Sequence, residues 1–480
     1  MSTRPTRLVV APVLAAALLC PCIAGAAGLE LPERGAFALG RGGAAISAVD
    51  DPSAVDLNPG ALSRLHGGRF LYSHELLWSH ATFKRAASSI PQDANVTPAA
   101  DPSVEVQNGD DLFPLGVSLA ATHDFGLPGF TFGLSLYGPH GAASSAWPVK
   151  GGQRYMVTGF DGVILFPGVS VAYGTESFGI GVTLQAATLP NVKYRLVVDG
   201  IKSGPLNPLA SSAEVEATVT GRDPFAPTAI VGTWYRPVPE VEIALSGRAV
   251  PVVFHAEGHL KIANVPDQSG FTPDQLKLED AGAKFDLKLP PTARLGLRYR
   301  HLNGEREVFD VELDGTYEAW SIFNQLGLDL SGEINLYGGE TLPDVKLEKR
   351  WRDTLGARLG GSYAAVPERL WVSAGAFVEQ GAVPPRYEDL DFMSFARLGL
   401  GTGVRGTVYD GEAFGLTASM AYMHVFQEDR TVSERDGKVF QQRPLAPCPE
   451  DCGGRSGVPA NAGHFTSSFD QLGVTLVGRY

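Results

Sequence analysis

Four groups of residues in this chain are of types that carry chemistry, and none forms a compact catalytic motif. Cys448 and Cys452 lie close together in the run Pro447-Cys448-Pro449-Glu450-Asp451-Cys452. Their spacing suits a small local disulfide that staples a loop in an exported protein. A metal centre would want two further Cys or His ligands at suitable spacing, and no such cluster is visible in the sequence. The ten histidines are scattered, with His74, His80, His255, His259 and His424 in separate segments. No Gly-x-Ser-x-Gly nucleophile elbow occurs, although a Ser–His–Asp set assembled from distant segments stays open. The third group is ionic. Arg294, Arg298 and Arg300 alternate with apolar residues, and Asp310, Glu312, Asp314 and Glu318 take the even positions of 308–319. Facing ladders of this kind form ion pairs that stiffen a wall, with substrate selection as the alternative role. The fourth group is the Gly-rich stretch 40–60, where Gly40, Gly42 and Gly43 precede Asp50-Asp51-Pro52 and the turn signal Asn58-Pro59. It follows neither a strand nor a helix period and reads as a compact, kinked segment that something else must bury.

The elements that position these groups follow from composition and period. With 57 Gly and 19% charged residues, the chain is too polar for a helical membrane bundle and too Gly-rich for a typical helical enzyme. Residues 1–26 carry Arg4 and Arg7, an apolar run from Leu8 to Leu19, and the small-residue segment Ala24-Gly25-Ala26. This is the layout of a signal peptide cleaved after Ala26, taking Cys20 and Cys22 with it. A formal net charge of −13 argues against nucleic acid as a partner. No window past residue 30 has the ~18 continuous apolar residues of a membrane helix.

What recurs instead is alternation. Leu472, Val474, Leu476, Gly478 and Tyr480 share one face, opposite Gly473, Thr475, Val477 and Arg479. Phe309, Val311, Leu313, Gly315 and Tyr317 likewise oppose the acidic positions of 308–319, which is the period of a strand between two different media. We count about fourteen such segments, over 69–83, 112–123, 129–138, 161–174, 177–190, 225–237, 240–260, 284–300, 306–320, 350–365, 368–380, 392–409, 412–427 and 465–480. Short links such as Leu127-Pro128, Asn303-Gly304 and Asp410-Gly411 take turns with long ones near residues 97, 150, 207, 270, 335, 386 and 445. An even strand count with loops sorted by length is the layout of an antiparallel transmembrane β-barrel; a soluble sandwich has no reason to sort them. The expected organisation is a signal peptide over 1–26, a lumenal plug over 27–68 and the barrel over 69–480. In that barrel Arg294, Arg298 and Arg300 point inward across from Asp310, Glu312 and Asp314. Tyr72, Trp78, Trp234, Tyr235, Trp320, Trp371, Tyr422 and Tyr480 are expected in interfacial girdles.

The start of the mature chain, Ala27-Gly28-Leu29-Glu30-Leu31, then Gly40-Arg41-Gly42-Gly43-Ala44, Asp50-Asp51-Pro52-Ser53-Ala54-Val55 and Asn58-Pro59, resembles the N-terminal hatch of the FadL/TodX outer-membrane transporters of long-chain fatty acids and aromatic hydrocarbons. The resemblance continues through Gly133-Leu134-Ser135-Leu136-Tyr137-Gly138-Pro139, Pro167-Gly168-Val169-Ser170-Val171-Ala172-Tyr173, Tyr317-Glu318-Ala319-Trp320-Ser321 and Ala421-Tyr422-Met423-His424, in the family's order across almost the whole mature chain. It implies passive uptake of a hydrophobic small molecule, most simply a long-chain fatty acid, with an aromatic hydrocarbon as the alternative. It further implies a hatch pinned to the wall by Asp50, Asp51 and Asn58, and a lateral opening at a kinked third strand, here Gly138, Pro139 and Gly141. Lys193 and Arg195 fall where the resemblance places a lumenal basic residue after the fifth strand, and Arg154 lies in the outer loop near the capture site; these three are the candidate anchors for a carboxylate. Where the family usually has Asn-Pro-Ala, this chain has Asn58-Pro59-Gly60, and a looser local backbone is expected. The reading calls for no cofactor and no metal, for a monomer, and for outer-membrane lipid and lipopolysaccharide as surroundings. A barrel enzyme and a purely structural barrel are the competing classes.

Overall fold

The computed structural model describes residues 34–86, 104–109, 113–138, 145–199, 214–266, 271–335, 339–442 and 455–480. The expected signal peptide over 1–26, residues 27–33, Pro139, Gly141, Cys448 and Cys452 lie outside the described residues. The alternating segments form a closed barrel of 14 antiparallel strands. They are β1 (Arg69–Arg85), β2 (Phe113–His123), β3 (Phe130–Tyr137), β4 (Gly159–Gly174), β5 (Phe178–Asp199), β6 (Glu214–Val238), β7 (Val241–Arg248 and Val252–Asn264), β8 (Gly282–Leu289 and Thr292–Asn303), β9 (Arg306–Glu318 and Gln325–Leu330), β10 (Val345–Glu348 and Thr354–Val366), β11 (Leu370–Glu379), β12 (Arg397–Asp410), β13 (Gly415–Gln427) and β14 (Gly463–Arg479). Each strand pairs with the next, and β14 returns to β1 in unbroken register from Arg69↔Arg479 to Arg85↔Gly463. Closure leaves no row of unpaired amides facing lipid. Beyond the last pair, Gly68 and Tyr480 exchange backbone hydrogen bonds of 3.0 and 2.9 Å.

The two faces of the wall differ as the alternation requires. Leu295, Leu297, Tyr299, Val311, Leu313 and Tyr317 are exposed on the outer surface, whereas Asp310, Glu312 and Asp314 are buried on the lumenal one. The register differs from the expected ladder in one respect. Arg300 lies opposite Asp310 and Arg298 opposite Glu312, but Arg294 lies opposite Thr316 and Asp314 opposite Gly296. The girdle also needs correction. Trp78, Tyr235, Tyr422 and Tyr480 are exposed, but Trp234 and Trp320 are buried, because Trp234 falls on the inward parity of β6 and Trp320 sits in a 3-10 turn where β9 is interrupted. Trp371 lines an internal cavity.

Four neighbouring strands break at the same level. β7 is interrupted at 249–251, β8 at Pro290-Pro291, β9 at 319–324 and β10 at 349–353; the prolines cannot donate to the ladder. The outer portions of these strands then pair among themselves, as in Val252↔Leu289, Ala283↔Leu330 and Leu328↔Val345.

The N-terminal segment contains α1 (Ala36–Gly40), α2 (Ala54–Leu57) and a 3-10 turn over Pro59–Arg64. Helices this short are not stable alone, and the wall holds them. The Ala36 amide donates to Thr475 Oγ1 on β14, Thr183 on β5 donates to Val55 O, and Thr131 on β3 to Leu65 O. Close approach depends on glycine at both surfaces. A Cβ on Gly42, whose φ is +60°, would lie 2.3 Å from Ala376 N. On the wall, a Cβ at Gly360 or at Gly375 would lie 2.0 Å from Arg41 O. We therefore expect Gly360→Val and Gly375→Val to leave the barrel assembled but expel the segment, measured as new protease cleavage within 34–65. Gly315→Val, which meets nothing within 4 Å, is the control. Resistance of the two lumenal variants to cleavage would contradict this packing.

Candidate functional site in the barrel lumen

The lumen has a charged tier and an apolar tier. The charged tier is organised by β9, whose alternate carboxylates read the N-terminal segment directly. Arg41 places a two-pronged guanidinium on Asp310 (Nη1 to Oδ1 2.9 Å, Nη2 to Oδ2 2.6 Å) and reaches Glu312 at 3.2 Å. Its Nη1 also donates to Ser362 Oγ at 2.7 Å and its Nε to Ala44 O at 2.8 Å. Glu312 accepts the amides of Ser47 (2.6 Å) and Ala48 (3.1 Å), and Asp314 accepts that of Ala45 (3.0 Å). Charge-assisted bonds of this forked kind are the strong ones. Arg298 connects Asp310, Glu307 and Glu242 across three strands.

A second attachment lies three strands away on β6, joined to the first through Arg64, Glu242 and Arg298. Trp234 Nε1 donates to Gly60 O (3.1 Å) and Ser63 Oγ (3.2 Å), and the Arg64 guanidinium stacks 4.0 Å above its ring. Asn58 Nδ2 donates to Thr233 O at 3.2 Å and Ile46 O at 2.9 Å, while Asn58 Oδ1 accepts from Gly60 N. Asp50 pairs with Arg405 on β12 at 2.6 Å. Asp51 accepts from Ser53 N and Oγ and caps its own turn, with no hydrogen bond to the wall among the described residues. On the inner-mouth side of the segment, a cavity of about 320 Å³ is lined by Phe37, Arg41, Asp50, Arg300, Trp371 and Arg405, among others.

Toward the outer end the lining becomes apolar. Phe160 packs edge-to-face on Phe392 (5.1 Å), Phe323 on Trp351 (4.9 Å) and Trp320 on Trp351 (4.9 Å). These side chains come from β4, from the interruptions of β9 and β10, and from the link before β12. The charges among them are neutralised. Lys349 pairs with Asp389 and Asp391, and Arg430 Nη1 meets Glu388 Oε2 at 2.6 Å.

No protein-family profile matches the chain, and no curated protein does. Solved structures do. A FadL homologue of Pseudomonas aeruginosa superposes with a TM-score of 0.72 at 16% identity, covering 94% of this chain and 99% of that one. The Ralstonia pickettii toluene transporter TbuX gives 0.62 at 14% identity, with 94% and 99% covered. The Pseudomonas putida toluene transporter TodX gives 0.60 at 14%, with 94% and 98% covered. The fold is that of the FadL-type barrels.

Within this FadL-type barrel the other expected site residues separate. Gly60 packs tightly rather than loosely, since a Cβ there would lie 2.7 Å from Gly232 O. Gly138 follows the last residue of β3 and still donates to Val117 O at 3.0 Å. Arg154 is buried and committed. It donates to both oxygens of Glu214, to Tyr155 Oη and to Gly151 O. Lys193 and Arg195 lie within β5, which runs on to Asp199 rather than ending near residue 190. Both point away from the lumen, because their neighbour Tyr194 points into it against Phe160, and Arg195 meets Asp161 at 3.5 Å. His255 pairs with Asp286 and His424 with Asp470. Neither has a serine or cysteine hydrogen-bonded to it among the described residues.

Arg64 and Glu242 were not singled out by the sequence, Arg41 entered only as part of the run 40–44, and Trp234 was expected in the girdle. For Arg41 a signal exists: one cation among glycines and small apolar residues must find its counter-charge elsewhere in the fold. Replacing Arg41 by Ala should leave buried Glu312 without its guanidinium, a change of a type that costs about 3–5 kcal/mol. We expect Arg41→Ala to raise single-channel conductance in planar bilayers and to lower the unfolding temperature, with Arg41→Lys intermediate. Parent-like conductance would show that this attachment does not hold the segment.

Proposed function

We propose that the protein is a passive carrier of hydrophobic compounds across the bacterial outer membrane. In this reading the N-terminal segment is a movable plug, and the aromatic tier receives the ligand. The observation that carries the proposal is the buried aromatic lining of the outer lumen, built from Phe160, Tyr194, Phe323, Trp351 and Phe392. A water-filled general porin presents a polar interior instead. Long-chain fatty acids are the first substrate class, supported by the overlay on the FadL homologue at a TM-score of 0.72. Monoaromatic hydrocarbons are the second reading, supported by the overlays on two toluene transporters.

The charged tier gives the plug a defined resting place, and transport requires it to leave that place, in part or whole. A lateral exit at Gly138 and the following residues, rather than straight passage through the plug, remains part of the proposal. Arg154 is not a carboxylate anchor in this reading, since Glu214 already occupies it.

Uptake of a labelled long-chain fatty acid by cells with and without the gene tests substrate class, with toluene as competitor. Equal uptake by both strains would reject the fatty-acid reading. A disulfide between Ala36→Cys and Thr475→Cys should block uptake until a reductant is added. Transport that persists through the oxidised tether would reject a moving plug.

A further inference from the structure

A second group of charges lies between the interruption of β10, the link before β12 and the stretch after β13. The interruption of β10 is a tight turn in which the amides of Lys349 and Arg350 both donate to Asn324 O at 2.8 Å, and Arg350 takes a φ of +50°. The turn sends Trp351 into the aromatic tier, where it is 3% exposed, and leaves Arg350 and Arg352 exposed on either side of it. Arg386, exposed in the 3-10 turn Pro385–Tyr387, joins them. Together with Thr431 and Ser433 from the stretch after β13, the three arginines line an open groove of about 720 Å³.

The charge balance of this groove differs from that of the lumen. The lumenal arginines described above are each matched to carboxylates. Arg350 has Glu348 at 3.6 Å, and Asp436 is engaged by Ser433 Oγ at 2.6 Å. Among the described residues, Arg352 and Arg386 have no carboxylate within ion-pair distance. The lining carries three guanidiniums against the one carboxylate of Asp436, so it keeps a net positive charge that a bound anion would offset.

The level of the groove identifies the anion. Arg352 adjoins Asp353, which accepts a hydrogen bond from the hydroxyl of the exposed, outward-facing Tyr317 at 2.7 Å. Leu355, two positions further along the same face, is 56% exposed on the lipid side. The arginines therefore stand where hydrocarbon gives way to headgroups, and an amphipathic tyrosine marks that boundary. Guanidinium is the side chain best matched to phosphate oxygens, through paired N–H donors. We propose that the groove bounded by Arg350, Arg352 and Arg386 binds the phosphate of a phosphorylated glycolipid of the outer leaflet, a lipid A-type molecule whose acyl chains lie along the adjoining wall. This site is independent of the transport reading.

The test uses the full-length barrel purified in detergent, delipidated, and titrated with bisphosphorylated lipid A under native mass spectrometry. We expect one retained lipid in the parent, binding weakened about tenfold or more in Arg352→Gln/Arg386→Gln, and a smaller loss in the Arg→Lys pair. Lipid A stripped of its phosphates should bind at least about tenfold more weakly to the parent, a comparison that stands even if a variant fails to fold. Millimolar inorganic phosphate alone should not displace the lipid. The proposal is overturned if the dephosphorylated lipid binds the parent equally well, if folded Gln variants bind like the parent, or if inorganic phosphate empties the site.

Discussion

A guanidinium buried between two carboxylates is a constraint that propagates. Arg41 cannot leave Asp310 and Glu312 without stranding charge in a poorly solvated interior, so its position fixes the backbone on either side of it. The amides of Ala45, Ser47 and Ala48 then fall onto Asp314 and Glu312 of the same acidic row. Because that row sits at alternate positions of one strand, its spacing is set by the pleat. A short segment with little secondary structure of its own thus acquires a single conformation from the geometry of β9. The glycines at 360 and 375 make the fit sterically possible, and Trp234 with Arg64 holds the segment three strands further round the wall.

The same arrangement divides the interior by chemistry. Charged residues collect where the N-terminal segment needs partners, and aromatic residues collect above it, where a polar lining would have meant water. Each tier would be unfavourable in the other's place. An aromatic wall would leave the backbone amides of residues 45–48 unsatisfied, and a charged outer chamber would hold water that an apolar ligand must displace. The interruptions of β7 to β10 supply much of the apolar tier, since breaks in the ladder let large side chains such as Trp320, Phe323 and Trp351 turn inward together.

The architecture was legible because a barrel wall imposes strict parity. Alternation along 308–319, together with the sorting of short and long links, leads to the strand number and to which faces meet lipid. Parity also explains the failures. Trp234 reads as a girdle residue by its nearness to a strand end, yet its even position places it inward, and only the register with β7 reveals that. Lys193 and Arg195 were placed beyond a strand that in fact continues past a bulge between Leu189 and Val192, which shifts the inward positions from odd to even and so turns both residues outward. Arg41 and its partners are far apart in sequence, so the clasp they form has no local pattern. What marks it is only a lone cation among glycines.

The junction at Gly68 and Tyr480 has a bearing on how the molecule is put together. The first strand and the last meet there, and their two reciprocal backbone bonds lie at the root of the N-terminal segment. The chain turns into the lumen at the same point where the cylinder is sewn shut. Enclosure of the segment and closure of the wall therefore share one seam: the Gly68–Tyr480 bonds that complete the β1–β14 pairing also fix the base from which the enclosed segment hangs.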